Sequence, residues 1–179
     1  MSALFTRNRL IGLGIAAFVL ALDKLVKWLV LVPLDLRRQA GGAIELLPFF
    51  DLRYTENRGI SLGLLEATSD EMRWILVGMT AVIALVVLIW MLRERLLGDI
   101  FGLGMILGGA LGNIYDRYAF GYVVDYADLH IGDFRPFLIF NVADAAITIG
   151  VVIVLARSLL LGDDARQDVN EPETRAQES

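Results

Sequence analysis

The sequence predicts a membrane all-α protein, a four-transmembrane-helix bundle with a small extracytoplasmic β-containing surface subdomain. Three observations carry that expectation. Of the 179 residues 56% are hydrophobic, and the mean hydropathy is +0.61, too apolar for an ordinary soluble domain. Four apolar segments, at about residues 10–34, 74–92, 100–115 and 137–161, approach the ~20 residues that cross a ~30 Å hydrocarbon core as a helix. The connection between the first two, about residues 35–73, contains Phe49 to Thr55, an alternating run of strand period.

The first segment begins like a secretory signal peptide, with Arg7 and Arg9 ahead of an apolar run. That run continues past Asp23, Lys24 and Lys27 into Trp28 to Val32, and no small-residue cleavage site ends it, so it reads as a retained helix. The long loop that follows carries the strand candidate and then the turn-prone Glu56 to Gly59. Only Arg93 to Asp99 separate the second and third segments, which makes those helices antiparallel neighbours. The third segment has small residues four apart at Gly104, Gly108 and Gly112, a stripe that lets helix backbones approach closely. Residues 1–162 form the expected membrane domain. Residues 163–179 hold six acids and two arginines with almost no large apolar side chain, and are expected to be a disordered acidic tail.

That tail accounts for most of the net charge of -5. The positive charges are scattered singly between apolar segments, so no nucleic-acid partner is expected. The density of Arg7 and Arg9 on a short terminus, and of Arg93 and Arg95 in a short loop, puts both termini on the cytoplasmic side. There is no cysteine, which excludes disulfides, thiolate metal sites and a cysteine nucleophile. No metal or other cofactor is expected, and no obligate protein partner is inferred.

Polar groups inside apolar segments are the informative ones, because an unpaired carboxylate in hydrocarbon costs several kcal/mol. Asp144 stands seven residues after Phe137 in the fourth segment, ~10 Å along a helix that began there, with Asn141 three residues before it on nearly the same face. Leading out of the third segment, Asp116, Arg117 and Asp125 compete for attention. Asp116 beside Arg117 suits a local ion pair or a helix-end contact. Asp125 follows two valines without an adjacent cation and is the better catalytic candidate. Two carboxylates facing each other at low dielectric share one proton near neutrality. The ionised one takes a proton from an attacking water while the protonated one donates to the developing oxyanion. Equally, each aspartate could merely satisfy a neighbouring helix. A different class also fits the hydropathy: a small transporter or ion-conducting protein with Asp23, Lys27 and Asp144 as an acidic relay. Against it, the acids gather at one end and no inverted repeat is apparent.

Several motifs occur in order: Asp23 with Lys27, Asn57 to Ser61 (NRGIS), Gly108 to Arg117 (GGALGNIYDR), Val123 to Tyr126 (VVDY) and Phe140 to Asp144 (FNVAD). Together they resemble the lipoprotein signal peptidases, the type II signal peptidases that process bacterial prolipoproteins. The resemblance implies an intramembrane aspartic endopeptidase of the bacterial inner membrane, with its active site near the outer face. Its substrate would be a prolipoprotein, cut before a diacylglyceryl-modified cysteine whose acyl chains stay among the membrane lipids. It implies that Asp125 and Asp144 are the catalytic pair, and that Asn57, Gly59, Asn113, Arg117 and Asn141 line or brace the substrate site. Asp23 and Lys27, one helical turn apart, suit a structural pairing with each other or with neighbouring helices, and Asp116 is placed with them as a structural polar residue. Lys24 stands where the family usually shows glutamine, and Leu62 where it shows phenylalanine.

Two decoys are set aside. Gly59 to Gly63 (GISLG) fits a serine nucleophile pattern with His130 as the single available histidine, but that motif needs a strand, a sharp turn and a helix of a soluble α/β sheet. His130 lies in a polar, exposed-looking stretch with no metal-ligand spacing around it.

Overall fold

The computed structural model describes residues 6–59 and 70–160. Four long helices, α1 (Arg7–Leu31), α2 (Asp70–Arg93), α3 (Leu97–Phe120) and α4 (Val142–Leu160), are joined by three strands, β1 (Ala43–Leu47), β2 (Phe50–Asn57) and β3 (Val123–Leu129). Of the helices, α2, α3 and α4 are long and apolar enough to cross a membrane. α1 has the length, at 25 residues, but Asp23, Lys24 and Lys27 interrupt its apolar run. The serine pattern from Ile60 onward and the tail at 163–179 lie outside the described residues.

α3 is the centre of the bundle and packs against α1, α2 and α4. Its glycines make that possible. A methyl group on Gly108 would sit 2.5 Å from the Ala16 carbonyl oxygen of α1, and one on Gly109 would collide with the Ala143 carbonyl of α4. The stripe read from the sequence therefore faces α1, while Gly102 and Gly109 open a second close contact to α4. Ala16, Ala84, Val87, Met91, Ile100, Leu103, Leu107 and Val154 fill the space between the four helices. The outward faces carry Phe18, Trp28, Trp74, Val82 and Val152, each half or more exposed, as lipid-facing side chains are.

Each helix departs from its expected limits. α1 stops at Leu31, two residues before Pro33, which cannot donate a backbone bond. α2 is described from Asp70, four residues ahead of the apolar run, with the acidic Asp70 and Glu71 before Trp74. α3 runs on to Phe120, ending at Gly121 with φ +86°, so Asp116 and Arg117, like Asn113, sit on helix and not in a connection. α4 begins five residues later than the apolar run, because Phe140 is drawn into an antiparallel bridge with Ala127. Asp144 consequently lies in the first turn of α4, not two turns inside it.

The sheet has the order β1-β2-β3, antiparallel throughout. The strand expected around Phe49 to Thr55 is β2. β3 was read only as an apolar stretch. Six of its seven residues are buried, so no alternation marks it, as for strands covered on both faces. Val124, Tyr126 and Ala127 of β3 pack with Val30 and Leu36 in a second core at this end of the bundle.

Candidate active site

The C-terminal end of α3, the strand β3 and the start of α4 meet at one end of the bundle, and the polar residues of the motifs collect there. Asn141 is the residue on which they converge. Its side-chain oxygen accepts the backbone N–H of Asp144 at 2.9 Å, and the Asp144 Oδ2 accepts the backbone N–H of Asn141 at 3.3 Å. This reciprocal pair is a capping box at the start of α4, with Asn141 as N-cap and Asp144 at the third helical position. The Asn141 carboxamide nitrogen donates to Asp125 Oδ1 at 2.6 Å and to the Val124 carbonyl at 3.3 Å. Both candidate carboxylates are thus tied to one asparagine.

Two further carboxamides hold the outer sides. Asn113 of α3 donates to Asp144 Oδ1 at 2.8 Å, and Asn57 of β2 donates to Asp125 Oδ2 at 3.0 Å. The second contact follows from the strand register. Thr55 lies opposite Asp125 and Asn57 opposite Val123, so Asn57 is the diagonal same-face neighbour of Asp125. Beyond it, the Gly59 N–H donates to Asn57 Oδ1 at 3.2 Å and the Gly59 carbonyl accepts from an Arg117 terminal nitrogen at 3.0 Å. The buried Arg117 Nε has no acceptor among the described residues.

Asp125 is 2% exposed, whereas Asp144 remains half-buried beside an apolar groove lined by Leu129, Phe137, Leu138, Phe140, Ala145 and Thr148. Burial, reinforced by the neighbouring Asp144 charge, pushes the Asp125 carboxyl up to about 7, against the opposing pull of the Asn57 and Asn141 hydrogen bonds. A carboxyl that stays protonated to neutrality, next to a second carboxylate reached from a groove, can donate and accept protons at the same place.

Directly beneath lies a cluster of four charges. Lys27 contacts Asp23 at 2.8 Å and Asp116 at 2.7 Å, and Lys24 pairs with Asp116 and lies 3.8 Å from Asp23. Both aspartates are completely buried and Lys27 is 3% exposed. Asp116 takes its cations from α1, not from Arg117 next to it, because Arg117 turns toward Gly59. His130 also differs from its expected exposed position: it is half-buried with Nε2 3.2 Å from Asp51 Oδ2, at the opposite end of the sheet. Sequence reasoning noted Lys24 only as a departure and gave no role to Tyr126, whose hydroxyl accepts the Val142 N–H at 3.3 Å. Nothing local reveals Lys24, whose partner Asp116 is 92 residues away. The N-x-x-D spacing of Asn141 and Asp144 was the available signal for the cap.

Fold and site together define a membrane protein with a paired-carboxylate centre at one end of its helices. A family model described as signal peptidase (SPase) II matches residues 15–160. A lipoprotein signal peptidase of Sphingopyxis alaskensis is 56% identical over 161 residues, covering 90% of this chain and 92% of the relative. One of Rhizorhabdus wittichii is 54% identical, covering 86% and 88%. A bacterial membrane enzyme solved by the in meso method superposes with a TM-score of 0.71 at 25% identity, covering 91% of this chain and 92% of that one. The chain belongs to the signal peptidase II family.

Proposed function

We propose that this protein is an intramembrane aspartic endopeptidase that removes the signal peptide from bacterial prolipoproteins, cleaving before the diacylglyceryl-modified cysteine. The reading joins the family to one observation, the suspension of Asp125 and Asp144 from the same Asn141. Asp144, nearer the groove, takes a proton from a water as its oxygen attacks the scissile carbonyl. Asp125, buried and protonated up to about pH 7, donates to the developing oxyanion. Collapse of the tetrahedral intermediate breaks the C–N bond, Asp144 returns its proton to the cysteine nitrogen, and Asp125 is reprotonated from the hydroxyl it had stabilised.

The supporting residues have chemistry suited to an extended peptide. Asn57 and Asn113 fix the carboxylates from outside, and the Arg117 Nε, without an acceptor among the described residues, suits a substrate carbonyl. The apolar groove at Asp144 suits the hydrophobic part of the substrate. α1 is taken as the fourth membrane crossing, its charges inward, with both termini in the cytoplasm and the sheet at the outer face of the inner membrane. There, lipid anchorage confines the substrate to two dimensions while water still reaches the site.

The test is cleavage of a diacylated precursor peptide by purified protein in micelles, read by product mass. The expected result is one cut immediately before the lipidated cysteine, with the unlipidated peptide left intact. Cleavage of both peptides at the same rate, or of neither, contradicts the proposal.

A further inference from the structure

The four-charge cluster does more than neutralise itself. Asp116 Oδ2 accepts the backbone N–H of Val124 at 3.2 Å, and Asp23 Oδ1 accepts the backbone N–H of Ala143 at 3.2 Å. Val124 and Ala143 are the residues immediately before Asp125 and Asp144. Each member of the dyad is therefore preceded by a backbone amide anchored on a completely buried carboxylate, and the two carboxylates are clamped together by Lys27, which touches both. We propose that the Asp23–Lys27–Asp116 clamp, closed by Lys24 as its second cation, is a positioning device that sets the spacing of Asp125 and Asp144. The meaning of that spacing rests on the function proposed above; the clamp itself does not.

The contacts give each lysine a distinct share. Lys27 is shared between Asp23 and Asp116, so its loss would release both anchors. Lys24 pairs directly with Asp116, is held by the Gly112 carbonyl at 3.1 Å and lies 4.2 Å over the Tyr115 ring, while Asp23 is 3.8 Å away. Its action is thus directed at Asp116 and, through Asp116, at Val124 and Asp125. Charge balance points the same way. With Lys24 present, two buried anions meet two cations; without it, Lys27 alone serves two carboxylates, and one is left undercompensated at low dielectric. No proton or covalent step is assigned to these residues. Lys24, Lys27, Asp23 and Asp116 are positioning residues, since the groups they hold are backbone amides.

The experiment is amide hydrogen exchange, read by NMR on the full chain in micelles, for wild type, Lys24→Gln, Asp116→Asn and the double variant, with kcat and KM measured on the lipidated precursor. Lys24→Gln is expected to lower protection of the Val124 amide by about tenfold or more, the scale of one charge-assisted hydrogen bond, while Ala143 keeps its protection. kcat per folded molecule falls with KM unchanged, and adding Lys24→Gln to Asp116→Asn produces no further loss at Val124. Equal loosening of both amides, no loosening at all, or additive effects in the double variant overturns the proposal. If the wild-type protein cleaves nothing, the peptidase reading fails, and the exchange pattern still decides the clamp.

Discussion

Asn141 and Asp125 lie 2.6 Å apart, carboxamide nitrogen to Oδ1, across the junction between α4 and β3. The same asparagine caps α4 through the Asp144 amide. One side chain therefore fixes a strand carboxyl and a helix carboxyl relative to each other, so the local structure of a helix start becomes the geometry of the site. Replacement by alanine removes the cap and the donor together. Asn141→Ala is expected to destabilise the protein by about 1 kcal/mol and to lower cleavage of the lipidated precursor by about 10²-fold. Thermal unfolding and initial rates measure the two effects, and a folded Asn141→Ala protein with wild-type rate would refute the link.

Asp125 makes stability depend on pH in a definite direction. Its carboxyl stands at about 7 in the folded protein, above the ~3.9 of an unfolded chain. A carboxyl raised on folding contributes stability that is fully present below the unfolded value and is lost as pH rises through the folded one. The Tm should fall as pH increases from about 4 to about 7 and level off above that. In Asp125→Asn this part of the slope should disappear, and an unchanged slope would show that Asp125 is not the group responsible.

Arg117 is expected to act through the planar fork of its guanidinium. One terminal nitrogen holds the Gly59 carbonyl, and Nε has no acceptor among the described residues. Lysine supplies charge but cannot make both contacts. Arg117→Lys should lower kcat/KM by about 10-fold to 100-fold with little change in Tm. Equal activity of the two proteins would remove Arg117 from the substrate site.

Gly108 tests the packing that brings the cluster under the dyad. A methyl group there would stand 2.5 Å from the Ala16 carbonyl oxygen, and neither backbone can yield without shifting a helix. Gly108→Ala is expected to cost about 1–3 kcal/mol, seen as a lower Tm in detergent. Gly14, with nothing within 4 Å of an added methyl, is the matched control, and equal tolerance at both positions would contradict the packing.

Helices α2, α3 and α4 were legible because lipid imposes a length and a composition that a hydropathy window detects, whereas α1 carries three charges within its apolar run. The strand β2 was legible from its alternation. β3 was not, because burial on both faces erases the period that marks a strand. The same limit applies at the site. Asp125 and Asp144 could be singled out as carboxylates in apolar surroundings, but the first-turn position of Asp144 depends on Phe140 joining β3, a contact between distant residues. Lys24 shows the limit most plainly. In sequence it is one more charge on a helix, and only the close approach of α1 and α3 at Gly108 and Gly112 brings it to Asp116.

The most direct measurement compares Asp125→Asn and Asp144→Asn with the wild-type protein on the diacylated precursor, after thermal unfolding confirms that both variants fold. Each substitution is close to isosteric and replaces a carboxyl with a carboxamide that cannot exchange a proton in the proposed mechanism. A loss of about 10³-fold or more in each variant is the expected result. Retention of cleavage by either folded variant would contradict a paired-carboxylate mechanism.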